Sequence, residues 1–311
     1  MIYVIGYFFH PMRLKALQTE QRHFSDMLDY ANALLQRALQ SKDDAEKIIS
    51  RIKQAQSDGN IQALTMLGRH VMSSFVHACG NVPDAEAERV TIVIGSDLKY
   101  ISDFNHRIAE FEITMDAGYV VVVGNRLCEE IKQRHPDLQL KLQDKGDTPK
   151  ECAEIARLIF EEYYDSSPCD TLERCKKALS ILASLRAIAY GGKDKHTNSC
   201  SEKSLVPMAA IVQTGEVPPS IPLAWPVPDM VTVANRYIQL LKAFARNELH
   251  LQLLRSILSA NELQLNNLRS MKDGFEKDLK RLAREISRAK VERITKDMAD
   301  VIGGSLAVEG L

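Results

Sequence analysis

A seven-residue apolar repeat near the C-terminus restricts this chain more than any other feature. One row holds Leu251, Leu258, Leu265, Lys272, Leu279, Ile286 and Arg293; a second, three residues on, holds Leu254, Asn261, Leu268, Phe275, Leu282 and Ala289. Ten of these thirteen positions are apolar, and no proline falls after Pro228. A strict heptad over this length predicts one long helix, residues 229–302, with a left-handed supercoil. At 1.5 Å per residue it would run about 100 Å, several times the width of a small domain. So narrow a stripe needs a partner helix to cover it.

The other end of the chain supplies one. Leu14, Leu17, Phe24, Met27, Leu28, Ala31, Leu34, Leu35, Ala38 and Leu39 recur at steps of three and four, and Ile48, Ile49 and Ile52 continue the stripe. The expected helix, residues 12–57, is shorter than its C-terminal counterpart. An antiparallel pairing would leave part of one helix exposed, or buried in something else. Residues 1–11 read as an extension ahead of a start at Met12, or as a short segment that packs on a partner. Their apolar run is too short to span a bilayer and lacks the basic flank of a signal peptide.

Between the helices the texture changes. After a turn at residues 57–60 a second helix is expected at 61–77. "RVTIVIGSD" (89–97) and "GYVVVVGN" (118–125) are short, continuous, β-branched runs, the pattern of strands covered on both faces. Helical patterns follow at 104–112 and 126–133, and Thr148-Pro149 opens another at 148–164 with an N-cap and a first-turn proline. Alternating strands and helices predict a small, largely parallel α/β domain. Residues 169–190 read as helical and 191–204 as an exposed loop. Residues 217–228 hold five prolines and cannot form a regular helix. The expected fold class is therefore α+β with a long coiled coil: N- and C-terminal helices paired antiparallel, with a small α/β, Rossmann-like domain inserted. The boundaries are a start-site extension at 1–11, an N-terminal coiled-coil helix at 12–60, a helix plus the inserted domain with its irregular loop at 61–228, and the C-terminal helix and apolar tip at 229–311.

Chemistry is sparse. A formal net charge of −1 argues against nucleic-acid binding. The six cysteines form no CxxC pair and no zinc spacing, which fits reduced thiols in a reducing compartment. His70 and His77 lie two helical turns apart with no third ligand at metal spacing. "IGSD" (94–97) ends a strand but lacks G-x-G-x-x-G, and there is no phosphate-binding G-x-x-x-x-G-K. Catalytic residues, cofactors and metals are accordingly expected to be none. The basic run at 280–296 is interrupted by Glu285 and Glu292. It reads as a solvated coiled-coil face or as a surface that meets an acidic protein.

The arrangement resembles the gamma subunit of F-type ATP synthases. That family commonly reads N-R-A-R-Q-x-x-I-T-x-E-L-x-E-I-[IV]-S-G-A, and here "SRAKVERITKDMADVIGGSLA" (287–307) keeps Arg288, Ala289, Ile294, Thr295 and Gly304. Lys290, Asp297, Met298, Asp300 and Val301 are conservative replacements. A second pattern, strand-[TS]-S-D-R-G-L-C-G-G-[LF]-N, meets "VIGSDLKYISDFN" (93–105), where Ser96, Asp97, Phe104 and Asn105 agree while the Arg-Gly and Gly-Gly elements are missing. "ANELQLNNL" (260–268) looks like the family's approach to the C-terminal helix, with no gap to Ile294. The N-terminal helix departs from the family's basic pattern, and residues 165–228 do not follow it, so the resemblance is to a divergent member.

The resemblance implies a torque-transmitting central stalk with no bond chemistry of its own. Its C-terminal tip would turn inside a ring of alpha and beta subunits, where small and apolar side chains avoid the deep angular minima that fixed ion pairs create. Arg288, Lys290, Val291, Ile294, Thr295, Met298, Val301, Ile302 and Gly304 match positions that face this ring. Val291 stands where the family has Gln, which removes one polar contact. Ser96, Asp97, Phe104 and Asn105 would belong to the foot domain, which meets the epsilon subunit and the membrane c-ring. Neither nucleic acid nor direct membrane insertion is implied. The implied location is peripheral, on the cytoplasmic face of a bacterial inner membrane or on the matrix or stroma side in an organelle. The same features leave open a coiled-coil scaffold or a gamma-like protein that does not rotate. A small-molecule enzyme built on the α/β domain would need a polar pocket for which the sequence offers no residues.

Overall fold

Apolar β-branched runs need cover on both faces, and the chain folds to supply it. The computed structural model describes residues 2–55, 68, 90–101, 103–111, 119–138, 140–143, 148–163, 169–190, 200–206 and 230–309, without the side chains of 2–12, 55, 230 and 303–309. The elements are α1 (Ile2–Ala55), β1 (Val90–Ile94), α2 (Phe104–Glu110), β2 (Tyr119–Val123), α3 (Asn125–Arg134), β3 (Leu140–Gln143), α4 (Pro149–Tyr163), α5 (Leu172–Ser184), β4 (Arg186–Tyr190), β5 (Cys200–Ser204) and α6 (Met230–Glu309). The fold is mostly helical with a small mixed sheet, as an α+β class requires. The helix expected at 61–77 and the proline-rich stretch 217–228 lie outside the described residues, Gly68 excepted.

The sheet has the order β3-β2-β1-β4-β5. Its first four strands are parallel, and β5 adds antiparallel to β4, with Tyr190 opposite Cys200. Side chains alternate between the faces, as the strand period demands. Ile92, Ile94, Val121, Val123, Ala187 and Ala189 enter one core with α4, α5 and parts of α1 and α6, whereas Val93, Val120, Val122, Ile188 and Tyr190 enter another with α2 and α3. The α4 start is a reciprocal capping box: Glu151 N donates to Thr148 Oγ1 at 3.4 Å, and Thr148 N donates to Glu151 Oε2 at 3.1 Å.

Three strands escaped the sequence reading. Residues 169–190 read as helical, yet α5 stops at Ser184 and residues 186–190 form β4. "RAIAY" has helix-compatible composition; the slot beside β1, which pairs Ile92 with Ala187, makes it a strand. Residues 200–204, expected as loop, form β5. An edge strand with one neighbour and little burial carries no apolar alternation to betray it. At the opposite edge β3, LKLQ, does alternate apolar and polar residues, but over four residues only, with its Leu142 exposed rather than buried.

The chain divides into two compact units, Met1–Leu39 with Leu265–Leu311, and Gln40–Gln264. In the first, Phe24 meets Phe275 with ring centroids 6.0 Å apart, and Ala31, Ala38, Leu265, Leu268, Leu282 and Ile286 are buried. In the second, Asn261 donates to Ser41 Oγ at 3.0 Å and Lys42 pairs with Glu262 at 3.2 Å. Further along α1, Ala45 and Ile49 share a core with earlier α6 residues, Leu249 to Ile257, so within this unit the helices run antiparallel. Ala31, Ala38 and Ala45 lie seven apart on α1, a seam of small residues that lets a neighbouring backbone approach closely.

Candidate functional site

Two groups of residues were singled out by sequence, and the fold treats them in opposite ways. The first lies on α6. The heptad rows are buried or half-buried as far as Ala289, with Leu282 and Ile286 nearly covered. Beyond Ala289 the apolar residues change face. Val291, Ile294, Met298 and Val301 repeat at steps of three and four, and at 3.6 residues per turn they sit about 130° round the helix from the Leu282–Ile286–Ala289 seam. They are 63%, 58%, 63% and 71% exposed. Ile302, Arg288, Lys290 and Thr295 are exposed as well, and the helix backbone continues through Gly304 to Glu309. Arg293 pairs with Asp297 along the helix at 3.8 Å. Covering each large apolar side chain of this strip would release about 1.5–3 kcal/mol before the costs of association.

The second group builds a locked loop after β1. Asn105, buried on α2, clasps the backbone of Ser96 from both sides: its Oδ1 accepts from Ser96 N at 3.0 Å and its Nδ2 donates to Ser96 O at 2.8 Å. The Asp97 carboxylate accepts from Asn125 N at 3.1 Å, Asn125 Nδ2 at 3.2 Å and Arg126 N at 2.9 Å. It therefore caps α3 from a distant loop, answering two of the orphan donors at that helix start. Gly124 permits this turn with φ of 102°. Phe104 is buried against Tyr190, ring centroids 5.0 Å apart. All four motif residues at 96–105 thus meet in one cluster with structural roles.

The loop departs from the family pattern where it is tightest. Gly95 stands at the [TS] position, and a Cβ there would come within 2.6 Å of Leu127 Cβ. Lys99, Ser102 and Asp103 stand where the pattern has glycines. Asp103 nevertheless adopts the left-handed φ of 64°, and Tyr100 adopts 63°. Each costs an L-residue roughly 1–2 kcal/mol. Sequence reasoning missed Tyr100, Arg107 and Gln264 around this loop. Arg107 donates to Tyr190 Oη at 3.2 Å, and Gln264 Nε2 donates to Lys99 O at 2.9 Å. Only the spacing of Asp103 against the expected glycine signals any of this beforehand.

Reactive chemistry is not prominent. Burial pushes the Cys200 thiol up to about 11, against the opposing pull of Arg107, so it stays protonated and unreactive at neutral pH. Among the described residues no group of three His, Cys, Asp or Glu side chains is placed to hold a metal, and no helix is long and apolar enough to cross a membrane. His70, His77 and Cys79 lie outside them.

No protein-family model matches the chain, and no curated protein sequence matches it. Among solved structures it is similar to a chain of the Tetrahymena thermophila mitochondrial ATP synthase central stalk and c-ring, with 14% identity, 78% of this chain and 98% of that chain covered, and a TM-score of 0.46. It is also similar to a chain of the Euglena gracilis mitochondrial ATP synthase OSCP/F1/c-ring assembly in rotational state 3, with 11% identity, coverage of 93% and 96%, and a TM-score of 0.46. A chain of the Euglena gracilis rotor in rotational state 1 gives 9% identity, coverage of 89% and 99%, and a TM-score of 0.41. These structural neighbours are ATP synthase stalk and rotor chains at low sequence identity.

Proposed function

We propose that the chain is the central-stalk rotor subunit of an F-type ATP synthase, a divergent gamma subunit that couples ion passage through the membrane rotor to ATP synthesis or hydrolysis on the alpha/beta ring. The observation that carries this reading is the face change on α6. Where the C-terminal motif begins, the apolar stripe leaves the coiled-coil seam and turns outward as Val291, Ile294, Met298 and Val301. A tip meant for solvent would be polar; a tip meant to turn inside an apolar sleeve would be smooth and weakly bonded. Arg288, Lys290, Val291, Ile294, Thr295, Met298, Val301, Ile302 and Gly304 are the proposed ring contacts. The unit carrying Ser96, Asp97, Phe104 and Asn105 is the proposed foot, meeting the epsilon subunit and the c-ring. The subunit performs no catalysis, binds no cofactor and sits peripherally on the membrane through the complex. The long helices, within residues 12–60 and 229–311, are the proposed shaft, and the inserted domain, within residues 61–228, the proposed foot.

A gamma-like subunit that assembles without rotating is the second reading, favoured by Val291 in place of the family's Gln. Co-expression with cognate alpha and beta subunits separates the readings. A rotor gives an assembly with one copy of this chain, whose ATP hydrolysis drops at least about tenfold when residues 296–311 are trimmed. Assembly with trimming-insensitive hydrolysis selects the non-rotating form. Failure of any assembly with alpha and beta leaves a coiled-coil scaffold.

A further inference from the structure

The loop after β1 touches more of its own unit than its length suggests. Gln264 of α6 holds its Lys99 carbonyl at 2.9 Å, and Leu98 and Leu263 pack on the core that contains Ile101 and Ala260. At its start Ser96 is clasped by Asn105 of α2, and Asp97 caps the first amides of α3. Between these anchors stand Tyr100 and Asp103, both L-residues with left-handed backbone, φ 63° and 64°. Such a conformation persists only where its surroundings impose it. Here one imposing contact comes from α6, and Gln264 is itself buried.

We infer that this loop is a strained coupling link, through which a displacement of α6 reaches the N-termini of α2 and α3. Releasing Lys99 lets Tyr100 and Asp103 relax toward ordinary backbone. The relaxation shifts Asp97 away from Asn125 N and Arg126 N, and the α3 start frays. The linkage lies wholly within the Gln40–Gln264 unit and does not depend on what the α6 tip binds.

Amide hydrogen exchange on the full chain tests this. Gln264→Met keeps side-chain length and removes the donor. Coupling predicts at least about tenfold faster exchange at Leu98 and also at Asn125 and Arg126, because local opening of a capped helix start is read directly by its amides. Asp97→Asn supplies the second readout, weakening the cap from the loop side: it should speed Asn125 and Arg126 while leaving the α6 amides around Gln264 unchanged. Faster exchange confined to the loop in Gln264→Met overturns the inference, since the tether is then merely local. Unchanged exchange at both places overturns it equally.

Discussion

Two stretches of α6 make opposite use of one helix. From Glu248 to Leu268 it is covered on nearly all sides, and even its polar residues are buried: Glu248, Gln252, Ser256, Ser259, Asn261 and Gln264. Most of these find partners. Glu248 pairs with Lys203 of β5, lies 3.8 Å from Arg255, and accepts from Gln252; Asn261 binds Ser41. From Arg288 to Ile302 the helix is exposed on nearly all sides, and its apolar residues face outward. Hydrophobicity alone would have placed Val291 inside and Gln252 outside. A helix is buried where other elements converge on it, and a polar residue survives there if its hydrogen bonds are met.

Aspartate substitution gives the largest expected effect on this contrast. Leu254→Asp puts a charge into a fully buried site and should destabilise by about 4 kcal/mol or more, enough to unfold its unit. Ile294→Asp should change the unfolding free energy by no more than about 0.5 kcal/mol, yet weaken the binding of any partner that docks on the tip. Similar denaturation curves for the two variants would break the comparison. A smaller effect is expected along the alanine seam. Ala45 is fully buried, so Ala45→Leu overpacks the site and should cost about 1–3 kcal/mol in urea unfolding.

Gly274 belongs to neither extreme. A Cβ added there meets nothing within 4 Å. Gly274→Ala should therefore stabilise by about 0.8–1 kcal/mol through helix propensity, seen as a thermal midpoint a few degrees higher. A drop instead would show that the helix needs its glycine for a bend. The weakest effect concerns pH. Burial lowers the pKa of His250, and its Nε2 has no hydrogen-bond partner. The unfolded chain then takes up a proton more readily than the folded one, so stability is fully present above the ordinary histidine range and declines as pH falls below about 6.5. His250→Gln should flatten that acid slope between pH 7.5 and 5.5; an unaltered slope assigns it to other groups.

Legibility followed the same division. The α6 heptad and the α1 stripe were visible because each repeats with the period of a helix, and β1 and β2 because each is a continuous β-branched run of strand length. The Thr148-Pro149 start of α4 was visible because a cap is local chemistry. The strands β3, β4 and β5 were not. Ala187 and Ala189 are buried by the helices that pack on the sheet rather than by their own character, and Ser201, Glu202 and Lys203 are exposed. Within the motif residues, sequence pointed to Ser96, Asp97, Phe104 and Asn105 as a set. It could not reveal that Asp97 answers amides of α3, a helix that begins 28 residues later.

Periodicity, capping and β-branching are written within a few residues of one another, so the long helices and the two central strands follow from the amino-acid order alone. Which side of α6 is covered, why Gln264 reaches Lys99, and how Asp103 holds a backbone meant for glycine depend on segments far apart in the chain. Those contacts exist only after the elements have packed, and no local pattern encodes them.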